Sequence, residues 1–248
     1  MRIWFGAILM VSLVFVSTSF AQAPSDKGSD FGTHMQSYFR HPDAKAIVDE
    51  FFSLPPSEVA ETDQFYITGA FFSQLINEDP AVADLLVEKA EGAGEPFKKI
   101  VVASLNLSHQ PQRLELIHKI GGDDFLKWMG PSNGDLRDLT ITHPIHLDMM
   151  WASFFATGDD VYIDRVAEMT EAFVTDDKFR ELVAAANKDP HAYDPMLKAA
   201  IAKAAVWSLT SNATNYPEVR AALVNFVQHH QGMAAAMSAA VLAKTNPK

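Results

Sequence analysis

The sequence predicts an all-α protein, a helical-hairpin bundle of α-solenoid type with about ten helices drawn from two related units. Three observations carry this. Apolar residues recur at helical spacing, no run alternates as a strand does, and prolines and acids punctuate the chain where helices should begin.

In chain order, the first element is an export signal. Arg2 supplies positive charge, Ile8 to Val16 an apolar run, and Ala21-Gln22-Ala23 a small-x-small cleavage site, the three parts of a secretory signal peptide over 1–23. The mature chain is expected to begin near Pro24 and to work outside the cytoplasm, in the periplasm. Residues 24–42, rich in Ser, Asp, Gly and Pro, read as a flexible leader, followed by a single all-helical domain over 43–248.

Within that domain, Ile47, Val48, Phe51 and Phe52 share one helical stripe, and Phe97, Ile100, Val101 and Leu105 share another. Pro80, Pro96, Pro111, Pro144, Pro195 and Pro217 each precede an apolar helical run, where a missing N–H costs nothing. Asp79 and the pairs Asp123-Asp124, Asp159-Asp160 and Asp176-Asp177 stand at the same boundaries, placed to accept orphan N–H bonds.

The two halves of the chain echo one another. Ile67 to Phe72, followed by Ala81 to Leu86, is similar to Met150 to Phe155, followed by Tyr162 to Val166. Lys99 to Leu105 likewise matches Lys203 to Leu209, and Pro111 and Pro217 open the next helix in each half. The predicted units cover 57–120 and 145–228, with an added helix from Asp177 to Asn187 in the second and a C-terminal helix over 233–243. This arrangement resembles the helical hairpin repeats of the HEAT and tetratricopeptide type. The resemblance implies a surface that holds a partner.

Composition removes several function classes. No cysteine is present, so thiol catalysis and cysteine-held zinc or iron–sulfur sites are excluded. A formal charge of −11 speaks against a nucleic-acid partner, which is bound through clustered Lys and Arg. After residue 23 no apolar run has the ~18 residues that crossing a bilayer takes, so no transmembrane segment is expected in the mature chain.

Several side-chain groups are candidates for chemistry. His143, His146 and Asp148 bring imidazoles at i and i+3 beside an acid, part of a zinc ligand set. In an unbroken helix His229, Met233 and Met237 would share one stripe with His230 beside Met233, a soft set that suits Cu(I), although Gly232 is expected to interrupt the helix there. That run resembles the His-His…Met helix of some small exported copper-binding proteins. Trp151 and Phe155, with Trp207 at the equivalent place in the partner helix, are candidate aromatic contacts for a peptide or glycan, although core packing is the favoured reading of these rings. Asp160, Asp164, Glu168 and Glu171 follow one helical face and read as a solvated stripe. No catalytic residue is nominated.

The expected function is therefore a binding or scaffold module for another envelope protein or a peptide. A copper or zinc protein using His229, His230, Met233 and Met237 is one alternative, and an envelope hydrolase of unknown substrate is another; no cofactor is otherwise expected. The apolar character of 233–243 adds docking into the core, or a homodimer contact, as expectations for that helix.

Overall fold

The computed structural model describes residues 30–60, 62–130 and 135–245. The signal segment over 1–23 lies outside the described residues. The helices are α1 (Asp30–Ser37), α2 (Ala44–Ser53), α3 (Pro56–Val59), α4 (Thr62–Glu78), α5 (Ala81–Glu91), α6 (Glu95–Leu107) and α7 (Arg113–Lys119). They continue with α8 (Asp123–Met129), α9 (Pro144–Thr157), α10 (Val161–Glu168), α11 (Asp176–Ala186), α12 (Tyr193–Asn215), α13 (Pro217–His229) and α14 (Met233–Lys244). Among the described residues there are thus fourteen α-helices and no strand. The excess over ten comes from one- and two-turn pieces such as α3, α7 and α8, which are too short to show a periodicity.

Prolines and acids act at the helix starts as the spacing suggests. Pro144 and Pro217 are the first residues of α9 and α13, and Pro96 lies in the first turn of α6. Asp79 accepts the Ala81 N–H at 3.0 Å, and Asp159 accepts the Val161 N–H at 3.1 Å. In α11 the capping acceptor is Thr175 rather than the Asp176-Asp177 pair, and Asp123 turns instead to His118 at 2.9 Å.

α4 is the organising helix. It runs along α6 on one side and α9 on another, and Phe71, Phe72, Leu75 and Ile76 are shut off from solvent between them. α9 is buried almost throughout, with Met150, Trp151, Phe154 and Phe155 all in the core. A buried polar bond crosses this apolar region, where the Tyr162 hydroxyl of α10 donates to Gln74 Oε1 of α4 at 2.8 Å. α6 can lie close to α4 because residue 69 has no side chain.

The leader expected over 24–42 is corrected where residues are described. Residues 30–40 form α1 and a 3-10 turn over Tyr38–Arg40, with Phe31, Met35 and Tyr38 buried. Phe31 packs on Phe51 and Phe72 at ring separations of 5.7 and 6.4 Å, and Tyr38 meets Phe71 edge-on at 5.4 Å. Arg40 forms a two-pronged pair with Glu218 of α13 at 2.8 and 2.6 Å. Burying three large side chains contributes on the order of 5 kcal/mol toward holding this short polar segment in place.

The added helix of the second half is present as α11, which lies on the outside of α12 with no fully buried residue. The packing of the two halves differs, however. α6 lies along α4, whereas its sequence counterpart α12 touches α9 over a short stretch and packs against α11, α14 and the 169–172 turn. α14 docks on its own chain through Ala234, Ala235, Ser238 and Val241, leaving Met233 and Ala236 exposed. No described helix is long and apolar enough to cross a membrane.

The close approach of α4 and α6 can be tested at one position. A Cβ on Gly69 would stand 2.8 Å from Ala103 Cβ. Gly69→Ala gains about 1 kcal/mol of helix propensity but meets an overpacking cost of about 1–3 kcal/mol, so the melting temperature should fall. Adding Ala103→Gly should restore part of the loss; a Gly69→Ala protein that melts higher than the parent would refute the packing.

Candidate functional site

A cleft with a volume of about 490 Å³ opens among the described residues. α4 contributes Tyr66, the end of α6 Asn106 and Leu107, the end of α8 Met129 and Gly130, and α9 His146 and Met149. The remaining wall is the connection from Asp135 to Thr142, which carries Asp135, Asp138, Thr140 and Thr142.

Each wall is held by identifiable bonds. Gly130 closes α8 with φ 78°, a conformation that favours glycine, and its carbonyl accepts from Asn106 Nδ2 at 3.1 Å. That bond ties the end of α8 to the end of α6. Asp135 accepts the Arg137 N–H at 2.8 Å and so caps the short 3-10 turn Leu136–Asp138, which the buried Leu136 anchors to the core. Beyond it the chain is irregular, with Ile141 buried while Thr140 and Thr142 are exposed, so the two threonines line the cleft from a strap anchored by its middle residue. Arg165 holds the strap by donating to the Leu139 carbonyl at 2.7 Å.

His146 is the titratable group that the fold treats most distinctively here. Its Nδ1 accepts the Thr142 N–H at 3.2 Å, which requires a neutral ring protonated at Nε2. Burial first, and the neighbouring His143 second, hold its pKa below the ordinary imidazole range. His146 therefore fixes the strap as a neutral acceptor.

The zinc trio does not assemble as one group. His143 is the N-cap of α9, its Nδ1 accepting the Ile145 N–H at 3.2 Å, and its ring centre lies 6.3 Å from that of His146. Asp148 is half-buried on α9 and is not among the residues lining the cleft. Among the described residues no group of three or more His, Asp or Glu side chains is placed to hold a metal ion.

The copper set is not carried on one unbroken helix. α13 ends at His229, Gly232 turns with φ 88°, and α14 starts at Met233, so His229 and Met233 sit on different helices. His229 Nδ1 engages the Asn225 carbonyl at 2.9 Å, and His230 Nδ1 engages that of Phe226 at 3.0 Å. The His230 ring stacks on Phe226 at 3.9 Å. Met233 is exposed and Met237 half-buried.

The aromatic contact is overturned for two of its three members. Trp151 and Phe155 are fully buried, their ring centres 6.3 Å apart, with Phe155 packed on Tyr216 at 5.1 Å. Trp207 is 45% exposed on the outer side of α12. Core packing claims the first two because α9 is enclosed by α4, α10 and the 30–40 segment.

The acidic stripe is less solvated than its pattern suggests. Asp164 is half-buried, with Oδ1 shielded and unbonded, and its carboxyl is pushed up to about 6, chiefly by burial. Glu171 reaches α14 and accepts the Ala234 N–H at 2.8 Å, serving as a cap supplied from elsewhere in the chain.

No protein-family model matches the chain, and no curated protein or solved structure matches it. What the site can do rests on its own residues. Sequence reasoning named His146 but missed Tyr66, Asn106, Asp135, Asp138 and Met149, whose contributions come from separate segments with no shared motif.

A pH measurement tests the role of His146. With its folded pKa below the unfolded value, the unfolded chain takes up the proton first as pH falls through about 6.5, so the stability tied to the neutral ring is present above that pH and lost below it. His146→Asn keeps an acceptor near Nδ1 and removes the titration; its urea midpoint should vary less between pH 7.5 and 5 than the parent's. An unchanged slope would refute the assignment.

Proposed function

We propose that this protein is an exported binding module that holds a peptide segment of another envelope protein in the cleft between α4, α6, α8 and α9. The cleft itself carries the reading. Its volume of about 490 Å³ falls within the ~300–1,000 Å³ typical of ligand sites, and its lining sets apolar Tyr66, Leu107, Met129 and Met149 beside a few polar groups. Such a mixture buries apolar side chains of a ligand while fixing its orientation.

Binding fits the site better than hydrolysis does. The Nδ1 of His146 is already committed to the Thr142 N–H, so the ring shapes the wall instead of standing ready to take a proton from a bound substrate. The export signal over 1–23 supports an envelope location, where peptide segments of other exported chains are the available partners. The same proposal takes 57–120 and 145–228 as related units that have diverged in packing; the equivalent Phe71-Phe72 and Phe154-Phe155 pairs, all buried, support it.

Selection of a displayed peptide library against the purified protein tests this function. The expected outcome is a set of peptides whose affinity falls at least tenfold in Thr140→Trp, where a bulky ring enters the cleft from an exposed wall position. Peptides that bind Thr140→Trp as well as the parent, or a selection that yields none, would refute the cleft as the binding site.

A further inference from the structure

We propose that the peptide held in this cleft presents a lysine or arginine side chain, whose cationic end is received by Asp135 and Asp138 while its stem lies on Tyr66. This rests on the peptide-binding function above and adds the chemistry of the partner.

Among the described residues the cleft lining contains two carboxylates and no Lys or Arg. The basic side chain within the strap and the one that bonds it are occupied elsewhere. Arg137 pairs with Asp159 at 2.9 Å, and Arg165 pairs with Glu168 at 3.2 Å while also bonding the Leu139 carbonyl. Asp138 is exposed, and its carboxylate has no ion pair or side-chain hydrogen bond among the described residues. Asp135 uses Oδ1 for the Arg137 N–H, and its Oδ2 has His109 as its nearest base, at 3.9 Å. Both carboxylates thus keep acceptor capacity toward a ligand.

The rest of the lining fits a cation on an apolar stem. A neutral His146 adds no positive charge to compete with the guest. The half-buried Tyr66 offers apolar surface to a four-carbon or three-carbon stem, and an aromatic face attracts a cation within ~6 Å of its centre. An acidic guest would instead bring a third negative charge against two carboxylates with no counter-cation in the lining, and a chain of net charge −11 adds to that repulsion.

Substitution within a selected peptide tests the inference separately from the function. A peptide recovered from the library would be remade with each Arg replaced by citrulline and each Lys by norleucine, and the affinities measured calorimetrically against the parent, Asp138→Asn and Asp124→Asn. Asp124 is exposed on α8 and controls for net charge. The expected result is a loss of tenfold or more for the neutral peptide, a loss of about fivefold for Asp138→Asn with the charged peptide, and none for Asp138→Asn with the neutral one. Asp124→Asn should leave every affinity unchanged. Selected peptides that Thr140→Trp blocks, but that lack basic residues or bind equally well when neutralised, would overturn the cation while leaving the peptide-binding function standing. No peptide blocked by Thr140→Trp would overturn both.

Discussion

A seam of aromatic rings runs through the molecule, and the placement of the other elements depends on it. It starts at Phe97 of α6, which meets Phe51 at 5.3 Å, and passes to Phe72 at 5.1 Å and Phe71 at 5.4 Å. Residues 30–40 join this first half to the second. Tyr38 meets Phe71, and its neighbour Phe39 lies 5.1 Å from Phe154 of α9. The seam ends where Phe155 packs on Tyr216 and Arg40 pairs with Glu218. Ring pairs at these separations add roughly 0.5–1.5 kcal/mol each beyond the area they bury, so this cysteine-free chain draws on packing where other proteins use disulfides.

That seam fixes α4 against α9, and the cleft follows from it. Tyr66 lies near the start of α4 and His146 in the first turn of α9, so the two helices present their N-terminal turns to one space. The connection from Asp135 to Thr142 closes it because Leu136 and Ile141 are buried and Arg165 holds the Leu139 carbonyl. Cleft shape is therefore a product of core packing. The acceptors at its mouth, Asp135 and Asp138, ride on a turn whose geometry the Asp135 cap sets.

Much of the architecture was legible in the sequence because helix boundaries are written in local chemistry. Pro144, Pro217, Asp79 and Asp159 act at helix ends as their types dictate, and the added helix near 177–187 is α11. The 30–40 segment was misread because its stripe, Phe31, Met35 and Tyr38, is only two turns long and sits in Ser- and Gly-rich surroundings. Composition outweighed periodicity there, and tertiary burial reversed the balance. The break at Gly232 is legible from the glycine itself, and its positive φ places His229 and Met233 on different helices despite their helical spacing. The cleft left almost no trace, since Tyr66, Asn106, Asp138 and Met149 come from segments that are each ordinary, and long-range packing alone brings them to one space.

Residues 30–40 belong to the core and bind its halves together. The most direct measurement is the urea unfolding free energy of Phe31→Ala beside that of Leu114→Ala, whose parent side chain is 58% exposed. Phe31→Ala should lose about 3–5 kcal/mol and Leu114→Ala no more than about 0.5 kcal/mol. Equal, small losses for the two would contradict the account.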